Sequence, residues 1–407
     1  MTRIALISDI HFGRDARAEF TLPENRANGE AKNAPSLSEG AVRIMKEMQA
    51  EYLFVAGDLT SVGSPSEYFY CEEKLNEMAQ NSGIKDDHVI WCVGNHDNDW
   101  SISGLMNNYT GTDENIKKIL QRKYGEIATH VAQINTSGQP DFKQIGPLPM
   151  SGTYEDNNMI VFVLNSSSKC IQKDTYEHGS LTKVQLDWLQ SELQKYDSDP
   201  RWKIVMMHHH PFNYPYPTQG RDISTLEDGS EFCNIVGKGG VNLVIHGHRH
   251  HPICQTDNRN EWIGPVSFVC GGSFSVGERQ RQDGDIPNTF HIIELTDVRG
   301  ESIIYSYEYS IGSGWQKIHQ HRPEVPVDYK MYLGKMFDQK EVDIAIERLF
   351  DFSEPCKVYT WDQLGEPLKY RSSSAVRILL EKAQCNSAFD VKVHSDDNTI
   401  VIQRKAV

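Results

Sequence analysis

Five short apolar runs in the first 250 residues each end in side chains able to hold a metal ion. Arg3 to Ile7 leads to Ser8, Asp9, Ile10 and His11; Tyr52 to Ala56 leads to Gly57 and Asp58; His88 to Val93 leads to Gly94, Asn95, His96 and Asp97. Farther on, Trp202 to Met207 leads to His208, His209 and His210, and Val241 to Ile245 leads to His246, Gly247 and His248. Asp9, His11, Asp58, Asn95, His208, His246 and His248 make a set of oxygen and nitrogen donors without thiolate. Such a set suits Mn, Fe, Mg or Zn at a catalytic site better than structural zinc. Seven donors exceed what one ion needs, and a carboxylate can turn one oxygen to each of two cations. A two-metal centre with ions about 3.5 to 4 Å apart is the expectation; it would clamp an anion such as phosphate and lower the pKa of a bound water.

These residues need a frame, and the frame is readable. The first 320 residues alternate apolar runs with amphipathic helical patterns, as strands and helices of a layered α/β domain do. Ser64, Pro65, Ser66 and Glu67 form a capping box with proline at the first helical position, and Thr182 to Gln185 form a second. After Thr182, Leu186, Leu189 and Leu193 recur at spacings of three and four, which predicts a helix docked on a sheet. Two insertions interrupt the pattern, about 12–36 and about 98–158; the second carries a predicted helix near 115–123 and is placed over the strand ends. Beyond Gly314 the pattern changes. Arg322 to Pro326 reads as a linker, and 331–407 as a small α+β accessory domain with helices near 341–350 and 373–383 and a closing hairpin turning at Ser395 to Asn398.

Composition narrows the class. Against 56 Asp and Glu stand 41 Lys and Arg, a formal charge of −15, which argues against a surface built wholly to attract duplex nucleic acid or anionic membrane. The 331–407 segment is close to neutral, so the acidity belongs to the large domain. No run reaches the roughly 18 to 20 apolar residues of a membrane helix, and Ile4 to Ile7 is too short for a signal peptide. The eight cysteines are scattered without CxxC spacing, which predicts neither a disulfide framework nor a zinc ribbon and fits a reducing cytoplasm.

The order of the motifs, D-x-H at Asp9, G-D at Gly57, G-N-H-D at Gly94, a histidine run before Pro211 and G-H-x-H around Gly247, resembles the calcineurin-like metallophosphoesterase superfamily over roughly residues 1 to 300. The resemblance implies a four-layer α/β sandwich, two mixed β-sheets flanked by helices, which the small C-terminal α+β unit read from the pattern beyond Gly314 would follow. It implies that Asp9, His11, Asp58 and His248 hold one ion and Asp58, Asn95, His208 and His246 the other. His209 is a lesser candidate for the place of His208, because a third histidine stands where the family motif has proline. The ions implied are Mn²⁺ or Fe²⁺/Fe³⁺, with Zn²⁺, Mg²⁺ or Ni²⁺ as alternatives.

His96 matches the histidine that the family uses near the scissile phosphate; its alternative role is to orient a neighbour. The reaction implied is phosphodiester hydrolysis by in-line attack of a metal-bridging hydroxide. Gly57 and Asp58 continue as Leu59, Thr60, Ser61 rather than in the protein-phosphatase pattern, so the motif style is closest to the branch acting on cyclic nucleotides and small phosphodiesters. The DNA or RNA nuclease branch is the runner-up, followed by a phosphomonoesterase or a partner-binding module using the C-terminal domain. Expected partners are a small phosphoester, with nucleic acid and a protein contact through 331–407 as alternatives and no membrane.

Other residues draw plainer readings. Asp and Asn at strand ends commonly cap turns, and Asp97 is expected to hold its loop by hydrogen bonds. His209, His210, His250 and His251 are read as rim or packing residues, because neighbours along a strand point to opposite faces. Arg249 is divided between a phosphate contact and a surface ion pair, and Phe212, Tyr214 and Tyr216 between an aromatic wall and packing.

Overall fold

The computed structural model describes residues 1–13, 36–98, 151–167, 178–197, 199, 201–212, 224–259, 261–277, 286–295, 302–310, 313–321, 356–360, 389–394 and 399–404. The predicted helices near 115–123, 341–350 and 373–383, and Tyr214 and Tyr216, lie outside these residues. Strict alternation in the apolar runs produces two sheets with two buried faces each. The first sheet contains β1 (Thr2–Ile7), β2 (Tyr52–Ala56), β3 (Val89–Cys92), β10 (Thr289–Leu295), β11 (Ser302–Ser310) and β12 (Gly314–His321), in the order β12-β11-β10-β1-β2-β3. The second contains β4 (Gly152–Glu155), β5 (Met159–Val163), β6 (Trp202–Met206), β7 (Leu243–His246), β8 (Pro252–Asp257) and β9 (Val266–Gly271), in the order β4-β5-β6-β7-β9-β8.

Both sheets are mixed. β1, β2 and β3 run parallel, with β10 antiparallel to β1. β5, β6, β7 and β9 run parallel, with β4 and β8 antiparallel at the edges. Ile4, Leu6, Phe54 and Ala56 of the first sheet pack against Val161, Val163, Ile204, Met206 and Ile245 of the second. Their alternates face outward: Ala5, Ile7, Leu53 and Val55 toward α1 (Leu37–Glu47) and α2 (Pro65–Ser82), and Phe162, Val205 and Val244 toward α3 (Lys183–Lys195) and α4 (Gly229–Lys238). The result is the expected helix–sheet–sheet–helix sandwich. The caps of α2 and α3 are the two boxes read from the sequence, and Ser36 with Glu39 adds a third before α1.

One strand falls where an insertion was expected. β4 falls within the predicted 98–158 insertion, because its short G-T-Y-E run is half exposed and carries little apolar signal. β12, at the edge of the first sheet, ends at His321. In the C-terminal segment β13 (Cys356–Thr360), β14 (Phe389–His394) and β15 (Thr399–Arg404) form an antiparallel sheet ordered β13-β15-β14. His394 stands opposite Thr399, so β14 and β15 flank 395–398 as a hairpin would. Among the described residues no helix is long and apolar enough to cross a membrane.

Candidate metal centre

All five ligand-type segments follow the carboxyl ends of parallel strands, β1, β2, β3, β6 and β7, where open α/β sheets form their crevices. The loops after β1 and β2 are zipped together by backbone bonds. Asp9 N donates to the Gly57 carbonyl at 3.1 Å, Ile10 N and His11 N to that of Asp58 at 2.9 Å, and Phe12 N to that of Leu59 at 2.8 Å. These loops are also strained. Among the described residues six non-glycines have positive φ, and five of them are Asp9 (51°), His11 (50°), Asp58 (50°), His248 (77°) and His250 (54°). Backbone in this region costs about 1 to 3 kcal/mol per residue and persists where the surroundings over-determine it, which is the usual condition of functional sites.

The side chains converge in two groups that share Asp58. Asp9, His11, Asp58 and His250 present donor atoms all within 4.8 Å of one another, and so do Asp58, His208 and His248. In the first group, His11 Nε2 lies 3.5 Å from Asp58 Oδ2, and His250 Nε2 lies 3.2 Å from Asp9 Oδ1. In the second, His208 Nε2 lies 3.2 Å from Asp58 Oδ2 and 3.1 Å from Asn95 Oδ1, and His248 Nδ1 lies 3.0 Å from Asn95 Oδ1. Asn95 is thus the fourth member of the second group.

The chemistry of this donor set fits divalent cations. Asp9 and Asp58 are buried carboxylates beside imidazoles, and buried His11 Nε2 has no hydrogen-bond partner among the described residues. Burial pushes the pKa values of His11 and His248 well below the usual imidazole range, so both are neutral donors. Burial also opposes the charged form of His208, but the Asp58 carboxylate, with Asp9 behind it, outweighs that and raises the group to about 9. Asp58 is itself pressed up by burial, yet His208 and the other imidazoles hold it well below the ordinary carboxylate range. A protonated His208 beside Asp58 supplies locally the positive charge that a cation would bring to the same atoms.

Of the residues singled out in the sequence, Asp9, His11, Asp58, Asn95, His208 and His248 come together here; His246 does not, and His250 takes a place instead. Leu243 and Ile245 face the inter-sheet core and Val244 faces the helices, so His246, the last residue of β7, falls on the helix side. Its Nδ1 lies 3.4 Å from the Gly247 carbonyl, and burial, then His210, lower its pKa to about 3. Beyond Gly247 the strand has ended, and left-handed His248 and His250 escape the alternation that made His250 look peripheral. His248 accordingly joins the second group rather than the first. The G-H-x-H spacing starting at Gly247 itself, Gly247-His248-Arg249-His250, was the signal for this arrangement.

The same alternation separates His208 from His209. Met206 ends β6 facing the other sheet, and His208 continues that side, its Nδ1 donating to the Ala56 carbonyl of the first sheet at 2.8 Å. His209 Nδ1 instead meets Ser166 Oγ at 2.9 Å. His96 lies beside the first group, its ring centroid 4.5 Å from that of His11; its Nδ1 donates to the Ser61 carbonyl at 2.8 Å, and its backbone N–H donates to Asp58 Oδ1 at 2.8 Å. Asp97 holds the loops, accepting from Thr60 N and Gly94 N at 2.8 Å each. Arg249 reaches Ser224 Oγ at 3.3 Å, and Phe212 packs edge-on against Phe268 with centroids 4.8 Å apart, the packing reading rather than the wall.

Gly247 shows how tightly the loops fit. A Cβ there would collide with Ser8 Oγ and lie 2.6 Å from Asp9 Oδ2, while Ser8 Oγ holds Asp9 Oδ2 at 2.5 Å. Gly247→Ala is expected to destabilise the fold by about 1 to 3 kcal/mol, the range for forcing extra volume into a packed site, and to weaken metal binding. Thermal melts with and without Mn²⁺ check both; an unchanged Mn²⁺-induced rise in Tm would show that Gly247 does not support Asp9.

The comparisons agree with this architecture. The sequence model of calcineurin-like phosphoesterases matches residues 2–252. A protein of Rhodococcus erythropolis named "Probable cyclic nucleotide phosphodiesterase" is 23% identical over 285 residues, 67% of this chain and 78% of that protein. A 3',5'-cyclic-nucleotide phosphodiesterase of Nostoc is 22% identical over 271 residues, 65% of this chain and 77% of that protein. Among solved structures, a purple acid phosphatase from yellow lupin seeds superposes with a TM-score of 0.51 at 11% identity, covering 83% of this chain and 56% of that one, a likeness of fold.

Proposed function

The chain belongs to the calcineurin-like phosphoesterase family, a family of hydrolases, and from that premise we propose that it is a dinuclear-metal phosphodiesterase acting on cyclic nucleotides or comparably small phosphodiesters. The observation that carries the reading is the pair of four-residue donor groups joined through Asp58. In this reading Asp9, His11, Asp58 and His250 hold one ion, and Asp58, Asn95, His208 and His248 the other. Mn²⁺ or iron suits these oxygen and imidazole donors. When bound, two such ions supply Lewis acidity at the phosphoryl oxygens and make water a competent nucleophile near neutral pH.

The chain's own residues do the rest. Asp9 and Asp58 set the charge of the centre, and Asn95 contributes a neutral carbonyl oxygen that leaves more net positive charge for the phosphate. His96 is fixed by its Nδ1–H to the Ser61 carbonyl, so a proton handed to the departing oxygen would come from Nε2 of the imidazolium form, which leaves the neutral Nδ1–H ring behind. The names of the two bacterial relatives support the cyclic-nucleotide choice, and the formal charge of −15 disfavours close approach of a long polyanion. Residues 331–407 are assigned to a separate accessory unit, and the cytoplasm is the compartment we propose.

Incubating the Mn²⁺-loaded protein in parallel with cyclic nucleotides, single-stranded DNA and RNA tests the substrate class. Conversion of the cyclic nucleotide to a nucleoside monophosphate is expected; cleavage of the polymers alone would replace this reading with a nuclease. His96→Ala is expected to slow turnover by about 10²- to 10⁴-fold, most for poor leaving groups, with metal content unchanged. An equal loss on activated nitrophenyl esters and on alkyl esters would argue against proton donation by His96.

A further inference from the structure

His208 and His209, adjacent in sequence, use Nδ1 in opposite senses, as a donor in His208 and as an acceptor in His209. The Ala56 carbonyl can only accept, so His208 Nδ1, 2.8 Å away, keeps its hydrogen, and Nε2 is the nitrogen that yields its proton to a cation in the second donor group. His209 is bound the other way round. Ser166 Oγ accepts the backbone N–H of His208 at 3.3 Å and of His209 at 3.1 Å, which occupies both of its lone pairs. Its single hydrogen is left for His209 Nδ1 at 2.9 Å. That nitrogen is therefore an acceptor, and the neutral ring carries its hydrogen on Nε2.

This Nε2–H is fully buried and has no hydrogen-bond partner among the described residues. The ring is not remote: its centroid lies 4.4 Å from that of His248 and 5.2 Å from that of His208. Gly179 backs it so closely that a Cβ there would lie 2.5 Å from His209 Cγ. Buried donors are almost always satisfied, so an unsatisfied one beside a reactive centre calls for an explanation, and a role in catalysis is one. A protonated nitrogen has no lone pair for a metal ion, so the partner is an acceptor. The acceptor that a phosphoester brings to these rings is an anionic phosphoryl oxygen.

We infer that His209 is a hydrogen-bond donor to a phosphoryl oxygen of the bound substrate, and that Ser166, by fixing the tautomer of His209, keeps that ring off the metals, while the Ala56 carbonyl leaves Nε2 of His208 to them. The inference rests on the phosphoesterase reading of the site. Two variants separate the roles: His209→Asn retains an acceptor toward Ser166 but has nothing at the Nε2 position, whereas His209→Gln places an amide N–H there. With Mn²⁺ bound, inorganic phosphate is the probe and calorimetry the readout.

His209→Asn is expected to keep the wild-type Mn²⁺ complement while binding phosphate about ten- to hundredfold more weakly, the effect of removing one hydrogen bond to a charged group; His209→Gln should recover most of the loss. ¹⁵N spectra of histidine-labelled, metal-free wild type, which need no variant to fold, should show His209 Nδ1 unprotonated. Loss of a Mn²⁺ ion from His209→Asn, unaltered phosphate affinity, or a protonated Nδ1 would each overturn the inference. A wild-type protein that bound neither Mn²⁺ nor phosphate would instead remove the reading beneath it.

Discussion

Replacing Asp58 by asparagine is expected to lower phosphodiester turnover by about 10³- to 10⁴-fold, equivalent to about 4 to 5.5 kcal/mol of transition-state stabilisation. Asp58 is the one residue common to both donor groups, and its Oδ2 faces His11 and His208 at 3.5 and 3.2 Å. Asparagine matches its shape and can still accept the backbone N–H of His96, which now donates to Oδ1 at 2.8 Å. The loop after β3 therefore stays anchored, and what disappears is one negative charge and the ability to face two cations. Metal analysis should find the Mn²⁺ complement reduced along with kcat. The same substitution should release His208 from its raised pKa of about 9, because the carboxylate beside it is the largest influence opposing its desolvation. A fully active Asp58→Asn protein with two ions bound would show that the donor groups are not the reacting centre.

His250→Ala should cost about 10²- to 10³-fold in turnover, or about 3 to 4 kcal/mol, together with one metal ion, whereas His246→Asn should keep both ions and stay within a fewfold of wild type. His250 Nε2 lies 3.2 Å from Asp9 Oδ1 and completes the first donor group. His246 stands on the helix side of β7, its ring 6.3 Å from that of His210. As a fully buried side chain it contributes to packing, so its replacement should appear in Tm, at about 1 to 3 kcal/mol if a polar partner is left unsatisfied. Atomic absorption on the two purified variants checks the metal count. Loss of an ion from His246→Asn rather than from His250→Ala would return the ligand role to His246.

These contrasts show which parts of the molecule the chain states openly. Sheet strands were visible because Ile4 to Ile7, Tyr52 to Ala56 and Ile204 to Met207 are apolar on both faces, the mark of strands buried between a second sheet and a helix layer. The helix starts at Ser64 and Thr182 were visible because a capping box is a local device that needs no tertiary context. β4 and β12 were hidden because edge strands alternate weakly and take polar residues. His250 was misplaced by extending strand alternation past Gly247, where the backbone has turned left-handed. Neither the length of β7 nor that turn is a property of composition. The relation of His208 to Ala56 and of His209 to Ser166 depends on a sheet-to-sheet approach and on a loop 43 residues upstream of His209, and no local pattern encodes either.

The proposed chemistry requires two ions sharing Asp58. Electron paramagnetic resonance of the wild-type protein titrated with Mn²⁺ tests this most directly, because two ions bridged by one carboxylate are magnetically coupled and give a spectrum unlike that of isolated Mn²⁺. Two tightly bound Mn²⁺ per chain with a coupled spectrum, lost in Asp58→Asn, is the predicted result. A single uncoupled Mn²⁺, or none retained after desalting, would contradict it.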